Sequence, residues 1–302
     1  MKNKHYLITI VGPTAVGKSA LALQLAQYYR TEIISADSRQ FYKEMHIGTA
    51  VPSREELAKV PHHFIQHRSI FEPYSVGDFE RDAVKKSAML FKKHHIAIMA
   101  GGSGLYIDAL LNGLDDFPEV DPEIRTALST TLQEEGIEAL QSQLRKVDPD
   151  YFSQVDVHNP QRLIRALSIY NTTKKPYSSF LKKKHTRRNF IPIILGLTTA
   201  REMLYERINQ RVAQMMEQGL LTEAAQLYPH RALNALQTVG YKELFDHFDG
   251  KYTLKTAVSE IKKNTRRYAK RQLTWFRRNN TILWFDTSTD THSIIRKIHQ
   301  RI

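Results

Sequence analysis

Residues 6–11 (YLITIV) form an unbroken apolar, β-rich run, the pattern of a strand covered on both faces. A glycine loop follows, and over Ser19–Tyr29 alanines and leucines recur at helical spacing. Glu32–Ser35 (EIIS) and Ile96–Ala100 (IAIMA) read as a second and a third strand. Strands alternating with helices predict an α/β fold with a P-loop-type parallel sheet flanked by helices. From Asp116 the texture changes. DFPEVDPEIR carries proline punctuation and an Asp121-Pro122 helix start, and the charged helical segments beyond it contain no convincing strand. Residues 116–188 are therefore expected to be an inserted all-helical domain, with residues 1–115 and 189–302 forming the core. The run Lys182-Lys183-Lys184-His185-Thr186-Arg187-Arg188 reads as an exposed, mobile connector. Phe190–Leu197 (FIPIILGL) returns the chain to the sheet, amphipathic helices follow, and Thr281–Phe285 (TILWF) is the expected last strand.

Composition narrows the chemistry. There is no cysteine, so disulfides, thiolate nucleophiles and cysteine-held metals are excluded. His62-His63 and His94-His95 are adjacent pairs, whose side chains diverge on a strand or helix rather than converge on a metal. No run approaches the ~18 apolar residues of a membrane span, and the start has too short an apolar run for a signal peptide, so a cytoplasmic protein is expected. The formal charge of +13 favours a polyanionic partner, and its placement is more telling than its sum. Between Lys251 and Asn280 stand ten Lys and Arg residues and one acid, Glu260. Lys262/Arg266/Lys270 and Lys263/Arg267/Arg271 form two adjacent i, i+4 rows, beside Ile261, Tyr268 and Trp275, which recur every seven residues and are expected to pack. A basic stripe anchored by an apolar one suits a phosphate backbone.

Gly12-Pro13-Thr14-Ala15-Val16-Gly17-Lys18-Ser19 fits G-x-x-x-x-G-K-[ST] at every position, between a strand and a helix. Such a loop turns successive backbone N–H groups inward on an anion, Lys18 adds a point charge, and the Ser19 hydroxyl can ligate Mg²⁺. The motif specifies a phosphate-bearing ligand without saying which. Past the second strand, Asp37 stands where ligands of open α/β sheets bind; from position alone it could hold magnesium, act as a base or cap a helix. The third strand ends in Gly101-Gly102-Ser103-Gly104, either a tight turn or a close approach to a ligand with a hydroxyl at Ser103.

GPTAVGKSALA, DSRQFYKEMHIGTAVP and AGGSGLYIDALLNGL, followed by HNPQRLIRALSIY (158–170), REMLYERINQRVAQMMEQGL (201–220), LQTVGYKEL (236–244) and RRYAKRQLTWFRR (266–278), resemble the tRNA dimethylallyltransferase (tRNA isopentenyltransferase) family. The likeness covers nearly the whole chain in the same order. Three positions depart from the family pattern: Ser103 stands where threonine is frequent, Thr173-Lys174-Lys175-Pro176 lacks a glycine, and Val51 replaces a usual lysine.

The resemblance implies transfer of a dimethylallyl group from dimethylallyl pyrophosphate to the exocyclic amine of the adenosine 3′ of the anticodon, with Mg²⁺, by an enzyme expected to be monomeric. It implies a pyrophosphate cradle at Gly12–Ser19, in which Thr14 and Lys18 also serve the reaction. It implies Asp37 as general base or acceptor for the adenine amine, and Arg211 as a pyrophosphate contact, although the i, i+4 spacing of Arg207 and Arg211 alone suits a solvated face. Contacts to the tRNA anticodon stem-loop are implied at Asp37, Ser38, Arg39, Gln40, Ser103 and Arg125, and along Gln161, Arg162, Leu163, Ile164 and Arg165. The same is implied of Thr238, Val239, Gly240, Tyr241 and Lys242. On helix Gln161–Tyr170, Leu163, Ala166, Leu167 and Tyr170 form the apolar side, with Gln161, Arg162 and Arg165 opposite. A P-loop kinase would not need the basic C-terminal helix and would want a Walker-B aspartate that is not evident. An enzyme prenylating free nucleotides would not need the insertion, and a non-enzymatic RNA-binding switch would have little use for Asp37 beside a complete cradle.

Overall fold

The computed structural model describes residues 4–181 and 186–302. They form two compact units: Met1–Asn112 with Arg187–Ile302, and Gly113–Thr186. The first unit is built on a six-stranded parallel sheet in the order β3-β2-β4-β1-β5-β6, with β1 Tyr6–Val11, β2 Ile33–Ser35, β3 His62–His63, β4 Ile96–Ala100, β5 Ile191–Thr198 and β6 Leu283–Asp286. β1 is central and buried throughout, pairing with β4 (Ile8 to Ile98) and β5 (Ile8 to Ile193). The period-two alternation of strand side chains divides the core. Leu7, Val11, Ala97, Met99 and Ile194 enter one apolar layer, and Tyr6, Ile8, Ile10, Ile98, Ile193 and Leu195 enter the other.

The two-residue β3, paired with Ile33 and Ile34, extends the sheet beyond the strands predicted from the sequence. Two polar histidines give no strand pattern, and the pairing is tertiary. His63 Nε2 lies 2.5 Å from Glu32 Oε2, which holds this edge to the start of β2.

In the second unit the described residues are helical: Pro122–Glu135, Ile137–Val147, Pro149–Phe152 and Pro160–Thr173, with a 3₁₀ turn at Tyr177–Phe180. Asp121 caps the first helix by accepting from Glu123 N at 2.9 Å. Buried Asp148 accepts from Tyr151 N (3.0 Å), Ser178 N (2.8 Å) and Ser178 Oγ (2.7 Å), tying the short helix to the 3₁₀ turn. Leu163, Ala166 and Leu167 enter the unit's core as the apolar stripe predicts, and so does Ile164. The Pro160–Thr173 helix packs against both longer helices, so its buried face is wider than a single stripe.

Of the charged run expected to be a mobile connector, Lys182–His185 lie outside the described residues. Arg188, at its end, is not free. Its guanidinium donates to Leu110 O (2.8 Å) and Ala109 O (2.7 Å) and pairs with Glu80 at 2.5 Å, fixing where the chain re-enters the sheet unit. Among the described residues no helix is long and apolar enough to cross a membrane.

Candidate active site

β1 delivers the chain into the glycine loop at Gly12, where φ is 143° and a Cβ would stand 2.7 Å from Leu197 O of β5. No side chain fits there. Ala15 (φ 62°) and Gly17 (φ 101°) then wind the loop so that the Lys18–Tyr28 helix begins directly beneath it. A non-glycine residue in the left-handed region is uncommon, and here it belongs to the concave amide surface that an anion would face. Lys18 Nζ donates to Pro13 O at 2.7 Å, folding the ammonium back over the loop.

Two adjoining cavities meet above this loop. One, of about 100 Å³, is lined by Lys18, Ser19, Gln40, Gly101, Gly102 and Gln272 among others. The second, of about 240 Å³, has an apolar wall of Ile208, Val212, Met215, Leu220, Val239 and Ile261, with Thr238 and Gly240 at its side. Thr14, Asp37, Thr49, Arg211 and Tyr268 line both and form the junction. Asp37 is the only carboxylate among the described residues lining either cavity.

The charges at the junction do not balance. Burial pushes the Lys18 ammonium down to about 8, with nearby Asp37 opposing the shift and Arg211 adding to it. Burial likewise lowers Arg211, against the pull of Asp37. Two enclosed cations share one carboxylate, so an anion brought between them would gain most of its interaction in a poorly hydrated setting.

Asp37 Oδ1 accepts from Arg39 N at 3.0 Å, an Asx-type turn that leaves its other oxygen for the junction. Ser103 Oγ accepts from Ser38 N at 3.0 Å and donates to Ser38 Oγ at 3.1 Å, joining the loop after β2 to the loop after β4. Burial and the charge of Asp37 raise the Tyr268 phenol to about 12, while its hydrogen bond with Ser103 works the other way. Arg39 donates to Asn234 O (3.0 Å) and Ala235 O (3.1 Å), and Gln40 Nε2 donates to Thr49 O (3.2 Å) and Ala50 O (2.9 Å). Asp37, Ser38, Arg39 and Gln40 are thus one braced strip at the mouth of the site.

The cradle residues, Asp37–Gln40, Ser103, Arg211, Thr238, Val239 and Gly240 all belong to this region. Arg211 is at the junction, not on the solvated face that its spacing suggested. The Tyr241 side chain is fully buried, and its hydroxyl donates to Glu223 Oε1 at 2.6 Å, so the side chain is a strut behind the site. Lys242 is exposed and, with Arg271, lines a third hollow of about 480 Å³ that shares Thr238, Val239 and Tyr268 with the apolar cavity. In the helical unit Arg125, Gln161 and Arg162 are exposed, and Arg165 stacks its guanidinium 5.2 Å from the Phe117 ring. The side chains of Leu163 and Ile164 lie in that unit's core.

Four residues at or behind the site are not among those the sequence singles out for it. Tyr268 lines all three cavities rather than only packing, and Trp275, also expected to pack, is 37% exposed with Nε1 donating to Asp108 at 3.1 Å. Gln272 is buried one turn beyond Tyr268 and one turn before Phe276, and a polar residue on a buried stripe was the available signal. Glu223 carried no such sign. Its carboxylate accepts from the amides of His46 (3.0 Å), Ile47 (2.8 Å) and Gly48 (2.9 Å), clamping the loop that brings Thr49 to the junction.

The IPP transferase family model matches residues 40–279. The cradle and Asp37 precede that span. The chain is 59% identical over 298 residues to the tRNA dimethylallyltransferase of Christiangramia forsetii, covering 99% of each. It is 56% identical to that of Flavobacterium johnsoniae, covering 98% of each. Among solved structures it is similar to the full-length tRNA isopentenylpyrophosphate transferase of Bacillus halodurans (TM-score 0.71, 39% identity, 99% of this chain and 95% of that one). It is also similar to a eukaryotic dimethylallyltransferase acting on tRNA (TM-score 0.79, 30% identity, 99% of this chain and 77% of that one). With this sheet topology and these relatives along its full length, the chain belongs to the IPP transferase family and is a prenyltransferase of the tRNA dimethylallyltransferase type.

Proposed function

We propose that the enzyme holds dimethylallyl pyrophosphate with its diphosphate in the smaller cavity and its five-carbon tail against the apolar wall, and delivers the dimethylallyl group to N6 of the adenosine 3′-adjacent to the anticodon of tRNA. The carrying observation is that two enclosed cations, Lys18 in the smaller cavity and Arg211 at the junction, share the one carboxylate of Asp37 beside a cavity walled by aliphatic side chains. A diphosphate supplies the missing negative charge, and burying five carbons contributes about 4 kcal/mol at ~0.8 kcal/mol per carbon.

In this reading the adenine amine nitrogen bonds to C1 of the allyl group as the C1–oxygen bond breaks, and pyrophosphate leaves with the electron pair. Lys18, Arg211 and the loop amides stabilise the charge that develops on the leaving oxygens. Thr14, at the junction, offers its hydroxyl to the same oxygens. Asp37 Oδ2 takes the amine proton late, when the nitrogen has become acidic, so correct placement matters more than an unusual pKa. Ser103 holds the loop carrying Asp37 through Ser38, and Tyr268 walls the adenine side. The target base must leave its stack to reach a junction this enclosed, and the aliphatic wall keeps water from the allylic carbon.

Magnesium fits the same arrangement. The described residues contain no cluster of three or more acids or histidines that could hold a metal on their own. A Mg²⁺ held by the Ser19 hydroxyl and the diphosphate oxygens needs none, as this ion keeps few protein ligands beside phosphates. When bound, it would add positive charge on the leaving group.

The proposed contacts to the anticodon stem-loop are Arg125, Gln161 and Arg162 in the helical unit and, in the sheet unit, Lys242 and the exposed Arg267, Lys270 and Arg271. The test is purified protein with allyl-labelled dimethylallyl pyrophosphate, Mg²⁺ and either an anticodon stem-loop or AMP. Label on N6 of the stem-loop adenosine supports the reading. Label on AMP alone, or turnover of ATP without prenyl transfer, overturns it.

A further inference from the structure

The long helix Leu254–Phe276 carries its exposed basic residues on one side and, on the other, a single buried amide that reaches into the cradle. Gln272 Oε1 accepts from the backbone N–H of Thr14 at 2.8 Å, and Gln272 Nε2 donates to the carbonyl of Gly102 at 2.9 Å. A Cβ at Gly102 would stand 2.3 Å from that Nε2, so the amide fills the space between the two loops. One turn on, Trp275 closes over Gly104, where a Cβ would stand 2.3 Å from its Nε1. A primary amide satisfies an N–H on one side and a carbonyl on the other and stays neutral at every working pH, which a carboxyl of the same length does only when protonated.

We propose that Gln272 is a positioning residue for the pyrophosphate cradle: it sets the Thr14 and Gly102 backbones in register and so makes the basic helix part of the donor site. The assignment rests on the cradle being the pyrophosphate site. Gln272 does not itself touch the reacting atoms. It holds Thr14, which lines both cavities, and Gly102, which lines the smaller cavity with Lys18.

The test compares Gln272→Met, which keeps the shape and loses both hydrogen bonds, with Gln272→Glu. As a carboxylate, the latter retains the acceptor for Thr14, loses the donor to Gly102 and sets a negative charge beside the anion. Protonated, it regains the donor. Binding of inorganic pyrophosphate with Mg²⁺ is measured against wild type at each pH from about 8 down to about 5, a range over which a buried carboxyl gains its proton. Stem-loop affinity and thermal midpoint are measured alongside. We expect Gln272→Met to weaken pyrophosphate binding about tenfold at every pH. KM for dimethylallyl pyrophosphate rises in step, and stem-loop affinity stays within about twofold. Gln272→Glu should be worse at pH 8 and recover toward wild type as pH falls. Pyrophosphate affinity within about twofold of wild type in Gln272→Met overturns the proposal, as does a Gln272→Glu deficit that ignores pH. Should wild-type protein bind no pyrophosphate at all, the cradle reading fails first, and that outcome is distinct from both.

Discussion

The clamp at Glu223 gives the most demanding test of how the site is held. Its carboxylate accepts three backbone amides from residues 46–48 and the hydroxyl of buried Tyr241, whose pKa burial and this carboxylate together raise. Hydrogen bonds to a charged acceptor contribute ~1.5–3 kcal/mol each when desolvated. The His46 bond is exposed and the other three are part-buried, so partial rehydration in the variant reduces the sum. Glu223→Ala should therefore cost about 3 kcal/mol, read as a shift in urea midpoint at unchanged m. Tyr241→Phe alone should cost about 1 kcal/mol, and the double variant less than the sum, because its partner is already gone. Function should follow. Loosening residues 46–48 displaces Thr49, a wall of both cavities, and the Thr49 and Ala50 carbonyls that hold Gln40. A roughly tenfold fall in kcat/KM for tRNA corresponds to ~1.4 kcal/mol of transition-state stabilisation. Stability within about 0.5 kcal/mol of wild type for Glu223→Ala, or strict additivity with Tyr241→Phe, would refute the reasoning.

Other outcomes follow from the charges. Lys18 titrates near 8 in the folded protein, below its ordinary value, so kcat/KM for dimethylallyl pyrophosphate should fall as pH rises through about 8. Bound diphosphate favours the ammonium and should move the same limb of kcat to higher pH. In stability the sign is reversed: the unfolded state binds the extra proton between about 8 and 10.5, so folding gains stability over that window. Lys18→Met should accordingly raise the thermal midpoint at pH 7 while abolishing measurable pyrophosphate binding; a lowered midpoint would contradict the burial cost. On the basic helix, Arg267→Ala and Lys270→Ala should each reduce the salt slope of stem-loop binding by about 1. Arg266→Ala should not, since Arg266 is held by Asn209 at 2.8 Å and lies over the Tyr205 ring. Equal slopes for all three would remove the helix from the tRNA interface.

The sequence was most legible where chemistry is local. The G-x-x-x-x-G-K-S cradle and the strands around it could be read because loop, lysine and helix start lie within a dozen residues and each has its own pattern. The unbroken apolar run of β1 likewise declared a sheet covered on both faces. What stayed hidden depends on distance along the chain. Gln272 meets Thr14 across 258 residues, and Glu223 meets the loop at Gly48 across 175. Neither residue differs in type from a solvated surface residue. β3 is too short to show periodicity. Ile164 and Tyr241 fall within segments whose family resemblance implies nucleotide contacts, a cue that says nothing of where each side chain points. Side-chain burial is settled by tertiary packing, one residue at a time: Ile164 has helices on two sides, and Tyr241 spends its hydroxyl on Glu223.

The central claim is that a carboxylate at the junction of an anion cradle and an aliphatic cavity receives the proton of the incoming amine. Single-turnover prenyl transfer by Asp37→Asn, at saturating stem-loop and dimethylallyl pyrophosphate, measures this directly, with stem-loop affinity measured on the same preparation. The asparagine retains the Oδ1 acceptor for Arg39 N and loses the base. The account predicts transfer slowed by about 10²-fold or more with stem-loop affinity essentially unchanged. Transfer within a few-fold of wild type would contradict it.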